Sequence, residues 1–187
     1  MNQVFKPLGY MTVPDGTQVS PFLNTTDSTQ ESLPVGTLGD MSLASGQIAP
    51  GVQSWIHHLP FVTQIIYVVE GCLTVVMQEL HGQEPYRLTL KSKEAALCER
   101  GSFLQLRNES EKLITVLYMV SPSYVFEQEG EEVKYDDAVL IAKTWEEFQN
   151  LHHMYLKDQW ILNREKQRQE ALRRLTIKKK GTFRANT

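Results

Sequence analysis

The sequence predicts an all-β barrel with an N-terminal arm and a C-terminal α-helical extension. Three observations carry this. Nine short runs rich in β-branched and aromatic residues follow one another between residues 41 and 127, separated by Gly-, Pro- and Asn-containing turn signals and without intervening helical periodicity. From Thr144 onward the apolar spacing changes to the three-and-four step of a helix. The first forty residues, rich in Gly, Pro, Ser and Thr, hold too few apolar runs for a core of their own and read as an arm wrapping something larger.

Taken in order, the arm spans 1–40, with a short strand at Thr17 to Phe22 and a loop at Asn24-Thr25-Thr26-Asp27-Ser28-Thr29. The barrel spans 41–127. Its strands are Met41–Ile48, Ser54–His58, Gln64–Val69, Cys72–Leu80, Tyr86–Leu90, Ala95–Cys98, Phe103–Leu106, Leu113–Val120 and Tyr124–Glu127. Pro50-Gly51, Glu70-Gly71, His81-Gly82, Arg100-Gly101 and Asn108-Glu109-Ser110 punctuate them. Gly71, between two apolar strands, is placed where a hairpin needs positive φ. Residues 128–143 read as an acidic linker and turn, with Glu127-Gln128-Glu129-Gly130-Glu131-Glu132 as a solvated loop.

The helical extension spans 144–187. Thr144-Trp145-Glu146-Glu147 is a capping box that starts a helix reaching about Leu156, and Trp145, Phe148, Leu151, His152 and Tyr155 share its docking stripe. A second helix is predicted from Asp158 to about Leu175, ended by Lys178-Lys179-Lys180-Gly181. Its charges spread around the helix, so it should dock weakly, fray or pack on a second subunit.

At 187 residues the chain can bury a sizeable core without disulfides or structural metals. Two cysteines, Cys72 and Cys98, do not make a disulfide framework, which favours a reducing, cytoplasmic setting. No apolar run approaches the ~18 residues of a membrane span, and the N-terminal sequence lacks the pattern of a secretory signal. The net charge of −3 is uneven: residues 157–187 hold ten Lys or Arg and three acids, leaving −10 on the remainder. With Gln and Glu interleaved and no base-reading motif, this basic tail reads as a solvated helix, not a nucleic-acid arm.

The turn residues also fall into a spaced pattern. Gly51, five residues, His57-His58-Leu59, four residues, Gln64, six residues and Gly71 form one group. Lys93, five residues, Glu99-Arg100-Gly101, two residues, Leu104, three residues and Asn108 form a second. In order and spacing these resemble the two motifs of the cupin family, over residues 41–126. The resemblance implies a single double-stranded β-barrel, or jelly roll.

In metal-binding cupins, two His and a Glu of the first motif and a His of the second hold the ion. Here His57 is kept, Leu59 and Leu104 replace histidines, and Gln64 replaces the Glu. Leucine cannot ligate, and one imidazole with one amide supplies neither the ligand number nor the charge for a tight transition-metal site. His57, His58 and Gln64 would be the set if a metal were held, and His58 could join only through a strand bulge, since consecutive strand residues face opposite ways.

Without a metal, the barrel mouth reads as an apolar pocket lined by Leu59, Phe103, Leu104 and Leu106, with His57, Gln64 and Arg100 nearby. The other reading is a filled core in which His57 and Gln64 bond each other. The predicted function is binding of a small molecule, or a metal-independent isomerase, lyase or tailoring step with His57 as acid/base and Gln64 orienting the substrate. The alternatives are a metal-dependent dioxygenase using His57, His58 and Gln64, and a non-catalytic dimeric interaction protein. Gln64–Val69, apolar on both faces, predicts a homodimer. No nucleic-acid or membrane partner is expected.

Overall fold

The computed structural model describes residues 6–7, 9–24, 40–82, 84–130 and 132–185. Among them are β1 (Met11–Thr12), β2 (Gln18–Asn24), β3 (Ser42–Ile48), β4 (Ile56–His58), β5 (Thr63–Glu70), β6 (Cys72–Gln78), β7 (Tyr86–Lys91), β8 (Ala95–Cys98), β9 (Phe103–Arg107), β10 (Ile114–Ser121), β11 (Phe126–Glu129), β12 (Glu132–Asp136) and β13 (Val139–Ala142). Two helices follow, α1 (Trp145–Leu151) and α2 (Asp158–Ala185).

The strands form two facing antiparallel sheets and a hairpin. One sheet runs β1-β2-β3-β10-β5-β8, the other β13-β4-β9-β6-β7, and β11 pairs with β12. This is the jelly roll the sequence predicts. Strand alternation builds its interior: on β10, Ile114, Val116, Tyr118 and Val120 are buried while the residues between them are half-exposed. They pack with Ile66, Val68, Leu73, Val75, Leu104 and others in one core between the sheets.

The turns follow from their residues. Gly71 joins β5 to β6 at φ 106, and a Cβ there would lie 2.9 Å from Ile114 Cγ1, so Gly meets both a dihedral and a space requirement. Lys93, at the place a Gly holds in the second motif, keeps the left-handed conformation with φ 74. Asn108 locks its turn by donating to the carbonyls of Ile48 and Lys112 and accepting from the backbone and hydroxyl of Ser110.

The sequence expectation needs four corrections. The segment 128–143 is not a linker: β12 turns back on β11, and β13 pairs with β4 as an edge strand of the second sheet. Residues 1–40 do more than wrap, since β2 pairs with β3 along its length and extends the first sheet; of the loop expected at Asn24–Thr29, Asn24 instead ends β2 and the rest lies outside the described residues. α1 stops at Leu151 and passes into a 3-10 turn at His152–Met154. α2 continues beyond 178–181 to Ala185, because lysine is a good helix former and a single glycine costs only about 1 kcal/mol in a helix.

α2 is also firmly docked. Ala171 and Leu175 pack on Val125 and Tyr135. Arg168 donates Nε to Asp137 Oδ1 at 2.9 Å and Nη2 to the Ser123 carbonyl, with both partners of the ion pair buried. Arg174 makes a fork on the Glu127 carboxylate, and Arg164 lies over the Tyr135 ring, 4.4 Å from its centroid, while donating to the Asp136 carbonyl. The basic helix and the acidic hairpin, read separately in the sequence as solvated, hold each other.

α1 covers the outer face of the second sheet. Thr144 Oγ1 accepts from the Glu147 amide, as the capping box requires. Phe148 is fully buried with its ring 4.9 Å from Phe103 and 5.0 Å from Trp145. Burial of such a ring contributes about 2–3 kcal/mol. Trp145 Nε1 donates to Gln105 Oε1, and Gln105 Nε2 donates to the carbonyls of Ser54 and Lys143, so the Gln105 amide and the Trp145 indole are satisfied under the helix.

Candidate functional site

Between the sheets, at the end of the barrel covered by the N-terminal hairpin, lies a cavity of about 460 Å³. Its walls combine three parts of the chain. The barrel supplies His57 from β4, Leu59 beyond it, Gln64 from β5, Leu106 from β9, and Tyr118 and Val120 from β10. The β1–β2 hairpin adds Asp15 and Thr17. Phe126 and Asp136 of the β11–β12 hairpin and Leu175 of α2 close another side. The cavity supports the open-pocket reading over a filled core, and His57 and Gln64 do not bond each other.

His57 is nearly fully buried. Its Nδ1 lies 3.1 Å from the Trp55 carbonyl and 4.0 Å from Asp15 Oδ2. A carbonyl only accepts, so Nδ1 is the nitrogen that carries a proton toward Trp55, and Nε2 is the nitrogen turned to other partners. Asp15 is fixed in turn: its Oδ1 accepts from the Thr17 amide and hydroxyl at 2.9 and 2.8 Å, and its carbonyl accepts from Trp55 N. The Trp55 carbonyl orients Nδ1, the Asp15 carboxylate 4.0 Å away adds a favourable charge beside the ring, and Nε2 is left for proton exchange.

Gln64 sits on β5 opposite Val120 of β10, and Tyr118 lies two residues along that same face. The Tyr118 hydroxyl is buried and makes no hydrogen bond among the described residues. Burial, followed by the negative charge of Asp15, holds its pKa well above the ordinary tyrosine value, so it remains a donor. Its ring occupies the space over Gly46, where a Cβ would lie 2.4 Å from Tyr118 Cε2.

The predicted site residues separate into two groups. His57, Leu59, Gln64 and Leu106 meet in the cavity. Leu104 points inward but is fully buried in the packed part of the core, away from the cavity wall. Phe103 corrects the expectation: alternation on β9 that turns Leu104 and Leu106 inward turns Phe103 outward, under α1. Arg100 is also misplaced, because it lies in the exposed turn between β8 and β9, donating to the Pro60 carbonyl with its guanidinium 5.7 Å from the Phe61 ring centroid.

His58 faces away from His57, stacked 4.5 Å from Phe103 and near Trp160 of α2. No bulge brings the two imidazoles together, so the set His57, His58 and Gln64 cannot surround one ion. The residues present do not fit a transition-metal centre: Leu59 and Leu104 offer no donors, and Asp15 lies on the Nδ1 side of His57, away from the free Nε2. Among the described residues, no group of three or more His, Cys, Asp or Glu is arranged to hold an ion.

Asp15 and Tyr118 escaped the sequence reading. Pro14-Asp15-Gly16 carried a turn signal that could have closed a β1–β2 hairpin. Tyr118, in an alternating apolar strand, has the signature of a core residue and nothing in the pattern marks its hydroxyl.

No protein-family model matches the chain, and no curated protein matches it. Solved structures do. The capsular polysaccharide assembling protein CapF from Staphylococcus aureus superimposes over 73% of this chain and 32% of its own, with a TM-score of 0.53 and 14% identity. An oxalate oxidase structure covers 60% of this chain and 53% of its own, with a TM-score of 0.49 and 24% identity. The Drosophila melanogaster CENP-C cupin domain covers 58% and 71%, with a TM-score of 0.47 and 12% identity. At these identities the likeness concerns architecture and not chemistry. Among the described residues no helix is long and apolar enough to cross a membrane. The two facing antiparallel sheets and the motif turns at Gly51, Gly71, Gly101 and Asn108, with the CapF superposition, give this chain the cupin fold that its motifs resemble.

Proposed function

We propose that the barrel binds a small organic molecule, with His57 as the acid/base group for a metal-independent isomerase, lyase or tailoring step and Gln64 orienting the ligand. The observation that carries this reading is the cavity itself: about 460 Å³, within the usual range for small-molecule sites, walled by apolar side chains and holding His57, Gln64 and Tyr118. The Asp15–His57 contact supports proton transfer at Nε2. The reading includes a homodimer, supported by Ile65 and Leu97, which pair across β5 and β8 and are 37% and 53% exposed on the outer face. Light scattering at micromolar concentration giving the monomer mass would remove that part.

The test is a panel of metabolites screened by thermal shift. A true ligand at one hundred times its Kd stabilises by about 2.7 kcal/mol. Gln64→Leu should weaken the shift, while His57→Gln should retain binding and abolish any turnover of the hit. A panel without a single hit, or turnover that survives His57→Gln, would count against the proposal.

A further inference from the structure

The cavity wall has an unusual charge inventory. Among its described residues there is no Lys or Arg, and the charged members are Asp15 and Asp136. Both are already engaged. Asp15 Oδ1 accepts from Thr17 twice and its Oδ2 faces His57 Nδ1. Asp136 accepts from the Tyr124 hydroxyl and the Ala138 amide, and burial raises its pKa, favouring the uncharged form. An anionic ligand would enter beside the Asp15 carboxylate with no Lys or Arg in the described wall to receive it, which is costly in a buried site. A cationic ligand would compete with Thr17 and His57 for Asp15 and with Tyr124 and Ala138 for Asp136.

Three polar groups remain unused. The Tyr118 hydroxyl is buried without a partner, and neither the Gln64 amide nor His57 Nε2 makes a hydrogen bond among the described residues. A buried hydroxyl left unsatisfied calls for an acceptor, and the Gln64 amide can give a second donor to the same kind of atom. The remaining wall is apolar, with Val120, Leu59, Leu106 and Phe126 among its members.

We infer that the cavity is selective for an uncharged, largely apolar molecule bearing a carbonyl-type oxygen, which accepts from the Tyr118 hydroxyl and the Gln64 amide. This rests on the small-molecule reading above and narrows it to one ligand class. It separates the site from one built for carboxylate or phosphate ligands, which needs a fixed positive charge or a metal.

Four probes of matched size test it by titration calorimetry on the full chain: 2-acetylnaphthalene, 2-naphthoate, 2-naphthylmethylammonium and 2-ethylnaphthalene. The ketone should bind tightest, at least tenfold tighter than the carboxylate. Tyr118→Phe, which removes only an unpartnered hydroxyl, should weaken the ketone about three- to tenfold and leave 2-ethylnaphthalene within twofold. Asp15→Asn should narrow the gap between ketone and carboxylate. Val120→Phe, which fills the cavity, should abolish binding of all four. Carboxylate or ammonium binding as tight as the ketone, or Tyr118→Phe affecting both neutral probes equally, overturns the ligand class while leaving a pocket. Absence of binding by all four probes, or binding indifferent to Val120→Phe, overturns the pocket reading together with it.

Discussion

Replacing Arg168 with methionine removes the centre of the contact between α2 and the barrel. Methionine keeps the length and apolar stem, so the change isolates the guanidinium. Asp137 is fully buried, and it would lose Arg168 Nε at 2.9 Å and Nη2 at 3.3 Å. It would keep the Tyr135 hydroxyl at 2.9 Å and the Val125 amide at 2.8 Å. Breaking a buried pair on one side costs about 3–5 kcal/mol, and the two retained donors place this case near the lower end, at about 3 kcal/mol. For a chain of this size that is a fall in Tm of roughly 6–12 °C. Urea unfolding followed by tryptophan fluorescence measures it. Asp137→Asn with Arg168→Met should lose much less than the sum of the singles, with a coupling of about 2 kcal/mol. Arg174→Met should cost less than Arg168→Met, because the Arg174 side chain is 43% exposed and water replaces it. An Arg168→Met variant within 0.5 kcal/mol of wild type, or an additive cycle, would show that α2 is an appendage as its sequence suggested.

Three further outcomes follow from single contacts. Burial lowers the His58 pKa from 6.5 to about 4, so the unfolded chain takes up a proton that the folded one does not. Stability is therefore complete above pH 6.5 and falls by up to about 3 kcal/mol as pH drops to 4, and His58→Leu should flatten that dependence in urea titrations at pH 7 and 5. Gly46→Ala should push the Tyr118 ring into the cavity, costing about 1–3 kcal/mol and weakening any cavity ligand; an unchanged Tm would refute the packing described. Protein purified without a chelating tag should hold well under one equivalent of Fe, Mn, Ni or Zn by elemental analysis, and stoichiometric metal lost in His57→Ala would revive the dioxygenase reading.

The sequence was most legible where one residue settles one local question. The turn at Gly71 requires positive φ, the Thr144 hydroxyl caps one helix, and strand alternation separates His57 from His58. Alternation applied to β9 also places Phe103 outside once Leu104 is inside, so that error was avoidable. What stayed hidden depends on partners distant in the chain. Glu127 reads as solvated until Arg174, 47 residues away, is set on it, and Asp137 until Arg168 is. Asp15 joins the site only because a hairpin of the N-terminal segment folds across the barrel end, which no local pattern encodes.

The central claim is that the cavity holds a small molecule, and native mass spectrometry tests it most directly. Wild type and the cavity-filling Val120→Phe variant would be incubated side by side with a metabolite extract of the expression host and desalted together. The account predicts one non-covalent organic adduct per wild-type chain, released on denaturation and missing from Val120→Phe. Bare mass for both proteins, or the same adduct on both, would contradict it.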